Sequence, residues 1–345
     1  MRDNTGEITQ RGGAPRLRRM EILVVGGTRF VGRHVVSAAL ERGHRVTLLH
    51  RGTAAGDPFP NARHLHADRD GDLGDLASAG PWDATVDVCA YLPRQVEHLA
   101  AALGGRGGQH LYVSTVSVYA PPDGPGLTED GPLLPPAPPD VDTVTNDTYG
   151  PLKVACELAA RAAYGDDLLV VRPTYVVGPD DYTWRFPWWV WRIGQGGEVL
   201  CPGPPDAPAQ VIDVRDQATF VVDLLEKGAG GTYHTVSPAP PFSFGDLLES
   251  VAREVAPAGT TLTWVDEDRL LGAGLPEPAL PLWHWGEPEI WTSAADPSRA
   301  EAAGLSVRPL AATVRDTRAW VDEAGPPPDR VGLAPDRERE LLAGR

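Results

Sequence analysis

Short apolar runs alternate with amphipathic stretches over the first two thirds of the chain. The first run, from Ile22 to Val25, is ended by two glycines. An amphipathic stretch then extends from Val31 to Glu41, and Gly43 follows it as a stop signal. An apolar run, a tight turn and a helical periodicity, in this order, predict a strand, a turn and a helix.

The same alternation continues further along the chain. Apolar runs predict strands at 45–49, 83–89, 110–113, 168–171 and 231–236. Helical patterns occur at 148–164 and 216–227, and a Trp-rich segment spans 184–191. Strands that alternate with helices form parallel sheets. The pattern therefore predicts an α/β fold, a Rossmann-type doubly wound parallel sheet with a smaller, interleaved C-terminal substrate-binding domain.

Local composition divides the chain into parts. Residues 1–19 are polar and predict a flexible N-terminal tail. Residues 20–180 form the predicted dinucleotide-binding domain, with return elements at about 210–236, and residues 181–345 form the predicted substrate-binding region. Residues 121–139 contain eight prolines, so they predict a long loop, which is either a surface insertion or a lid.

Charge and cysteine content narrow the class of protein. The formal net charge of −16 repels phosphate backbones and disfavours nucleic acid as a partner. No apolar run approaches the roughly 20 residues that span a bilayer, so no membrane partner is expected. Cys89, Cys156 and Cys201 lie far apart and show no disulfide or zinc pattern. We expect a cytoplasmic protein that contains no metal. Its expected partner is a small polar molecule with a hydroxyl or keto group, for which a sugar-like compound is one candidate.

The turn after the first strand has the composition of a dinucleotide-binding loop. Glycines at such a turn let the backbone approach a pyrophosphate at the helix N-terminus. Gly27 and Gly32 match the outer glycines of the G-x-G-x-x-G pattern, whereas Arg29 replaces the middle one. A tight turn without a ligand is the alternative interpretation. The predicted cofactor contacts here are Gly26, Gly27, Thr28, Arg29, Phe30 and Gly32.

The end of the second strand bears on the choice between NAD and NADP. NAD-binding chains place an acidic residue there to bind the adenosine ribose, but this chain has His50 and Arg51. Loss of the carboxylate removes a repulsion of the 2′-phosphate, and Arg51, with Arg29 or Arg33, supplies positive charge. NADP is therefore favoured over NAD. A solvated loop arginine is the alternative interpretation of Arg51.

Two residues near the start of the helix predicted at 148–164 have a spacing that suits proton transfer. Tyr149 and Lys153 are four positions apart and share a helix face. A nearby ammonium and an oxidised nicotinamide both favour the phenolate of a tyrosine whose ordinary pKa is about 10. Tyr149 can then take a proton from a substrate hydroxyl or return one to a carbonyl. Such a pair is frequent by chance and gains weight only from its context.

That context includes the strand predicted at 110–113. Hydroxyl side chains follow it, at the sheet edge where open α/β folds bind ligands. Thr115 is placed to hydrogen-bond the substrate oxygen that Tyr149 protonates. Alone, each hydroxyl is more simply a satisfied residue at a strand end. The glycine turn, Thr115 and the Tyr149–Lys153 pair in this order predict a nicotinamide-dependent oxidoreductase.

On these residues the chain resembles an extended short-chain dehydrogenase/reductase of the epimerase/dehydratase type over about residues 21–235. The strings Val171–Pro179 and Ile212–Asp216 strengthen the resemblance. It implies that Thr115 is the catalytic Ser/Thr, that Tyr149 is the acid/base and that Lys153 binds the ribose. It further implies contacts with the cofactor at Asp68, Ala90, Pro173 and Val176.

Departures from the family pattern limit the substrate. The Asp-Glu pair that eliminates water in the family's dehydratases is replaced by Val116 and Ser117. The arginine that helps hold a sugar-nucleotide diphosphate in epimerases is replaced by Ala209 and Gln210. A nucleotide-sugar substrate is therefore in doubt. The residues expected to contact substrate are Tyr91, Ser117, Trp184 and Arg185.

The tryptophans of the segment 184–191 have two interpretations. Trp184, Trp188 and Trp191 share one helical face, which is either an aromatic wall for the substrate or, more simply, a core or subunit-contact face. Trp283, Trp285 and Trp291 pose the same choice.

Three functions fit these patterns. The leading one is hydride transfer at a secondary alcohol or ketone carbon with NADP(H). An epimerase of a sugar or sugar-nucleotide with tightly bound NAD is the second, and a regulatory or RNA-associated binding protein is the third. The resemblance also implies a homodimer that pairs through the Tyr-Lys helix and a helix at about 94–103.

Overall fold

The computed structural model describes residues 18–52, 58–74, 76–275, 279–284 and 289–344. Most of the predicted N-terminal tail and Trp285 lie outside these residues. Arg18, which lies within the range predicted as tail, forms an ion pair of 2.8 Å with Asp83. Within the described residues, no helix has both the length and the apolar character needed to cross a membrane.

Strands are numbered along the chain. They are β1 (Glu21–Val25), β2 (Arg45–His50), β3 (Arg63–His66), β4 (Ala84–Asp87), β5 (Gln109–Val113), β6 (Leu169–Pro173), β7 (Tyr175–Val177), β8 (Glu198–Gly203), β9 (Val211–Asp213), β10 (Gly231–Thr235) and β11 (Thr261–Asp266). The main sheet is parallel, with the order β10-β6-β5-β4-β1-β2-β3. This order confirms the predicted doubly wound sheet. The pairs β7-β9 and β8-β11 form two small sheets.

The helices are also numbered along the chain. They are α1 (Phe30–Glu41), α2 (Leu76–Ala79), α3 (Pro93–Leu103), α4 (Asn146–Tyr164), α5 (Arg185–Gly194), α6 (Val214–Glu226), α7 (Phe244–Val255), α8 (Glu267–Gly272), α9 (Ser298–Ala303), α10 (Leu310–Ala324) and α11 (Pro335–Ala343). Helices α1 and α6 pack together on one face of the main sheet, and α3 and α4 pack together on the other.

Most strands of the main sheet match the apolar runs of the sequence, because strands covered by helices on both faces are apolar throughout. Residues 22–25 of β1 are all buried. The exception is β3, which has the sequence Arg-His-Leu-His and pairs only with β2 at the edge of the sheet. The sequence analysis missed β3 because strands were predicted from apolar runs, and this strand contains none.

The region after residue 181 contains its own core. Trp188, Trp189 and Phe244 are almost fully buried between α5 and α7, and the indole N–H of Trp189 donates to the carbonyl of Pro281 over 2.6 Å. Of the two interpretations of the tryptophan segment, the structure therefore supports the core face.

The proline-rich loop 121–139 is bound on both sides to the body of the protein. The backbone N–H of Leu134 donates to Val118 over 2.8 Å, and that of Gly126 donates to Ala294 over 2.8 Å. Glu129 is buried, accepts a hydrogen bond of 2.9 Å from the backbone of His234, and is 3.4 Å from Arg299. The loop does not line the main cavity described below, so the structure gives the lid interpretation no support.

Candidate active site

A cavity of about 590 Å³ opens at the carboxyl ends of β1, β4, β5 and β6. Strand β1 lies between β2 and β4, so the chain reverses its direction of travel across the sheet at this point. Open α/β sheets bind ligands in the crevice that such a reversal creates. Further walls come from the ends of β2 and β3, from the start of α4, from several of the residues 173–185, and from His284, Thr292 and Ser293.

The glycine turn fits a dinucleotide. Gly26 has a φ of +89°, which favours glycine. A Cβ added at Gly32 would lie 2.3 Å from the carbonyl oxygen of Gly26, so the first turn of α1 is pressed against the loop. The first turn of α1 carries no acidic residue, and Arg29 makes no side-chain cap. The backbone N–H groups there are therefore suited to a pyrophosphate.

The part of the cavity where the sequence analysis expects the adenosine is lined by His50, Arg51 and Asp68. Arg33 is directed elsewhere, since it is paired with Asp180 at 3.2 Å and does not line the cavity. Of the arginines considered for a 2′-phosphate, Arg51 and Arg29 therefore remain.

Arg69 was missed by the sequence analysis. Its guanidinium donates two hydrogen bonds of 2.8 Å to the fully buried carboxylate of Asp87. Burial acts to raise the pKa of Asp87, but the charge and hydrogen bonds of Arg69 reverse this and hold the pKa below its usual range. The Nε of Arg69 is buried without a hydrogen-bond partner among the described residues. This donor beside the cavity is consistent with an absent polar ligand.

Tyr149 and Thr115 are brought together although 33 residues separate them in the sequence. Burial raises the pKa of Tyr149, while a hydrogen bond with Thr115 and the positive charge of Arg185 act to lower it. The sequence analysis assigned the cationic influence to Lys153. In the structure, Arg185 is the cation with the largest effect on this phenol.

Lys153 is held by backbone carbonyl groups. Its Nζ donates to Ala90 over 3.1 Å and to Val113 over 2.8 Å, and it lies 4.2 Å from the centre of the Tyr112 ring. An ammonium has three N–H donors, so one remains for a ribose hydroxyl. Burial lowers the pKa of Lys153 to about 8.

This burial predicts a pH-dependent contribution to stability. Between pH 8 and the ordinary lysine pKa of 10.5, the unfolded chain retains a proton that the folded chain has released. Stability therefore rises with pH in this window. Relative to a Lys153→Met variant, the free energy of unfolding of the wild type is expected to increase by up to about 3 kcal/mol. Urea unfolding of both proteins across this pH range measures the two free energies. A difference between them that does not change with pH would contradict the lowered pKa of Lys153.

The structure places most of the predicted site residues along the cavity. Those that line it are Gly26, Thr28, Arg29, Phe30, Gly32, Arg51, Asp68, Tyr91, Thr115, Ser117, Tyr149, Lys153, Pro173, Val176 and Arg185. Two others lie behind the wall. Gly27 packs near Val36 and Leu48, and Ala90 acts through the carbonyl that holds Lys153.

Trp184 is not placed at the cavity. It precedes α5 with a φ of +61°, and its buried ring lies 5.2 Å from the ring of Trp320 on α10. Contact with α10 therefore replaces the expected substrate contact.

Several cavity residues were not found from the sequence. They are Tyr175, Tyr182, Thr183, His284, Thr292 and Ser293. Tyr175 belongs to the family-like string 171–179, which was a usable signal. The others come from loops and, for Thr292 and Ser293, from a short 3₁₀-helical segment, which only the fold brings to the site.

The sequence pattern described as "NAD dependent epimerase/dehydratase family" matches residues 22–110 and 85–236, which together cover more than half of the chain. The chain belongs to this family. It is therefore an enzyme of the short-chain dehydrogenase/reductase superfamily, as the sequence analysis predicted. The glycine turn, Thr115, Tyr149 and Lys153 all lie within the matched residues.

Two proteins that are similar to this chain in sequence are named for different activities. The chain is 26% identical over 254 residues to the chloroplast stem-loop binding protein of 41 kDa b from Arabidopsis thaliana, a match covering 68% of this chain and 62% of that protein. It is 26% identical over 274 residues to a 3-diazoavenalumate denitrifying reductase from a Streptomyces species, covering 73% and 88%.

Solved structures of family enzymes have the same fold. An epimerase described as putative from Burkholderia cenocepacia has a TM-score of 0.67 at 22% identity, with 90% of this chain and 98% of that one covered. The enzyme WbmH of Bordetella bronchiseptica, in complex with NAD⁺, has a TM-score of 0.66 at 19% identity. The match covers 89% of this chain and 100% of that one. A UDP-N-acetylglucosamine 4-epimerase from Methanobrevibacter ruminantium has a TM-score of 0.68 at 18% identity. The match covers 89% of this chain and 100% of that one. At these identities the likeness shows the fold alone.

Proposed function

We propose that this enzyme is an NADP(H)-dependent reductase that interconverts a ketone or aldehyde and its alcohol. The observation that carries the proposal is the contact of Tyr149 with Thr115 in the cavity that Lys153 and the glycine turn also line. The Streptomyces relative, a reductase by name that is matched over 88% of its length, supports net reduction.

The proposed roles combine the lining of the cavity with the roles that the family resemblance implies. The turn Gly26–Gly32 holds the pyrophosphate, Lys153 holds the ribose next to the nicotinamide, and Pro173 and Val176 contact the nicotinamide ring. When bound, the nicotinamide supplies hydride transfer to or from a carbon. Tyr149 donates its phenolic proton to the carbonyl oxygen during reduction, and Thr115 hydrogen-bonds the same oxygen. In the oxidation direction, the phenolate of Tyr149 accepts the proton.

An epimerase is the alternative, supported by the solved family structures that are epimerases by name. An epimerase oxidises and re-reduces one carbon, so its cofactor is regenerated in each cycle. Purified protein distinguishes the two. The reductase proposal requires consumption of added NADPH that matches product formation. Retained NAD absorbance together with product formation in the absence of added cofactor would establish the epimerase and refute the reductase.

The preference for NADP rests on Arg51 at the end of β2. Arg51→Ala is expected to raise the Kd for NADPH about 10-fold, because a hydrogen-bonded ion pair with the 2′-phosphate is lost, and to leave the Kd for NADH unchanged. Titration calorimetry with both cofactors measures the change. The control is Arg33→Ala, whose arginine is already paired with Asp180. Equal losses for NADPH and NADH would disprove the role of Arg51.

RNA binding is a further candidate because of the name of the Arabidopsis relative. The net charge of −16 opposes it, since RNA binding draws on positive charge. A gel-shift titration with a stem-loop RNA decides the matter. Binding that weakens steeply with salt would support this candidate.

Two properties of the whole protein complete the proposal. We infer a homodimer through α3 and α4, because Leu158 of α4 is 52% exposed on the surface of the protein. Light scattering is expected to give twice the chain mass of 36.9 kDa, and a monomer mass would refute the homodimer.

The three cysteines form no disulfide bond, which supports a reducing cytoplasm.

A further inference from the structure

Arg185 is fixed in one orientation at the substrate end of the cavity. Its Nε donates to the hydroxyl of Thr183 over 3.2 Å. That hydroxyl donates in turn to the fully buried carboxylate of Asp181 over 2.5 Å. On another side, the guanidinium carbon lies 4.9 Å from the centre of the Tyr175 ring. The chain Asp181–Thr183–Arg185 therefore holds a guanidinium in place at low entropic cost.

The two terminal amino groups of Arg185 have no hydrogen-bond partner among the described residues. Among the other cations of the cavity, Arg69 binds Asp87 and Lys153 binds two carbonyls. Arg29 and Arg51 also line the cavity, and they belong to the part proposed above for the cofactor. A guanidinium whose Nε is held and whose amino groups remain available is suited to a planar carboxylate, which it binds with two parallel hydrogen bonds.

Arg185 and Tyr149 line the same cavity. The charge of Arg185 also acts to lower the pKa of the Tyr149 phenol. A molecule that presents its reacting oxygen to Tyr149 can therefore present a carboxylate to Arg185 within one cavity.

The walls around these two groups are aromatic. We call the space lined by Tyr91, Tyr149, Tyr175 and Tyr182 the tyrosine chamber. The Tyr91 and Tyr149 rings are 6.4 Å apart and tilted by 43°, and the Tyr175 ring is 5.3 Å from that of His284. Aromatic walls favour flat, unsaturated molecules, which gain from stacked or edge contacts.

The residues that would hold a nucleotide diphosphate are committed elsewhere. Gln210 is almost fully buried. Its amide group donates to Pro238 over 3.0 Å and to Ala295 over 2.9 Å, and accepts from the Ala295 backbone. Arg192 of α5 is paired with Glu338 at 2.7 Å and does not line the cavity, so it is not available to a diphosphate there either.

We propose that the substrate is a small, flat, unsaturated carboxylate whose carboxylate group is bound by Arg185 in the tyrosine chamber, and not a nucleotide sugar. This rests on the proposed function only for the reaction at Tyr149. Binding of the carboxylate is independent of it. Asp181 and Thr183 act as positioning residues for Arg185.

The first test measures binding alone. The probes are trans-cinnamate, its neutral isostere trans-cinnamamide, and UDP, each titrated by calorimetry with and without NADP⁺. Cinnamate is expected to bind about 10- to 100-fold more tightly than cinnamamide, because it forms a charge-assisted pair. Arg185→Gln is expected to abolish this preference. Equal binding of the acid and the amide, or tighter binding of UDP than of cinnamate, would overturn the proposal.

Controls separate the specific contact from net charge and from folding. Arg315→Gln removes the same charge from an exposed position on α10 and is expected to leave the preference intact. Thr183→Val retains Arg185 but removes its support, so it is expected to weaken cinnamate binding and leave cinnamamide binding unchanged. Loss of the preference in Arg315→Gln would show that net charge alone explains it, and would refute the site.

The second test separates this inference from the proposed function. It measures NADPH oxidation with 4-formylcinnamate and with its methyl ester. Faster reduction of the acid than of the ester supports both the reductase function and the carboxylate site. Reduction of both compounds at the same rate leaves the reductase standing and refutes the carboxylate site. Arg185-dependent binding of the acid without reduction supports the site and refutes a reductase of such carbonyl compounds.

Discussion

Replacing Tyr149 with phenylalanine is expected to lower kcat by about 10²- to 10⁴-fold, the usual contribution of a positioned acid or base. The ring remains and only the hydroxyl that exchanges the proton is lost. The cofactor contacts of the glycine turn and Lys153 do not involve that hydroxyl, so the Kd for NADPH is expected to stay unchanged. Steady-state rates and calorimetry on the same preparation measure both quantities.

Tyr164→Phe is the matched control for this variant. Tyr164 is the last residue of α4, the helix that also carries Tyr149. Its buried hydroxyl has no hydrogen-bond partner among the described residues, and its ring stacks on His110 with centres 3.9 Å apart. The same chemical change far from the cavity is expected to leave kcat unaltered. Retained activity in Tyr149→Phe would refute its role as the acid/base.

The direction of the reaction also predicts a pH dependence. Burial raises the pKa of Tyr149 above its ordinary value, against the opposing influences of Thr115 and Arg185. The protonated phenol that reduction requires is therefore present throughout the neutral range. Oxidation requires the phenolate, so its rate is expected to increase with pH through the alkaline range.

Replacing Gly32 with alanine is expected to disrupt cofactor binding. The new Cβ would lie 2.3 Å from the Gly26 oxygen and 3.0 Å from the Cα of Gly27. These are backbone atoms, so α1 and the glycine turn must separate. We expect a loss of stability of about 1–3 kcal/mol, typical of overpacking. Because the turn itself is displaced, cofactor affinity is expected to fall about 100-fold, as ångström-scale misplacements do.

Gly272→Ala provides the comparison, because a Cβ at Gly272, the last residue of α8, meets no atom within 4 Å. Its stability and its affinity for NADPH are expected to match those of the wild type. Thermal unfolding and cofactor titration of the two variants give the result. Wild-type affinity in Gly32→Ala would show that the turn does not hold the pyrophosphate.

The sequence by itself determined the doubly wound sheet and predicted the order in which the proposed catalytic residues occur along the chain. Strands such as β1 are buried on both faces, so they appear as apolar runs. The glycine turn and the Tyr149–Lys153 spacing are local, because neighbouring residues in a turn or helix have nearly fixed relative positions. Thr115 was found because strand ends in a parallel sheet lie at one edge.

Only the tertiary structure decided which charges act on which groups. The influence of Arg185 on Tyr149, the Arg69–Asp87 pair and the commitment of Gln210 to Ala295 all join residues distant in the chain. Sequence periodicity determines which face of a helix is apolar, but it does not determine which other element packs against that face. Trp184 therefore lies against Trp320 instead of a substrate, since contacts between elements are fixed by packing and not by local spacing.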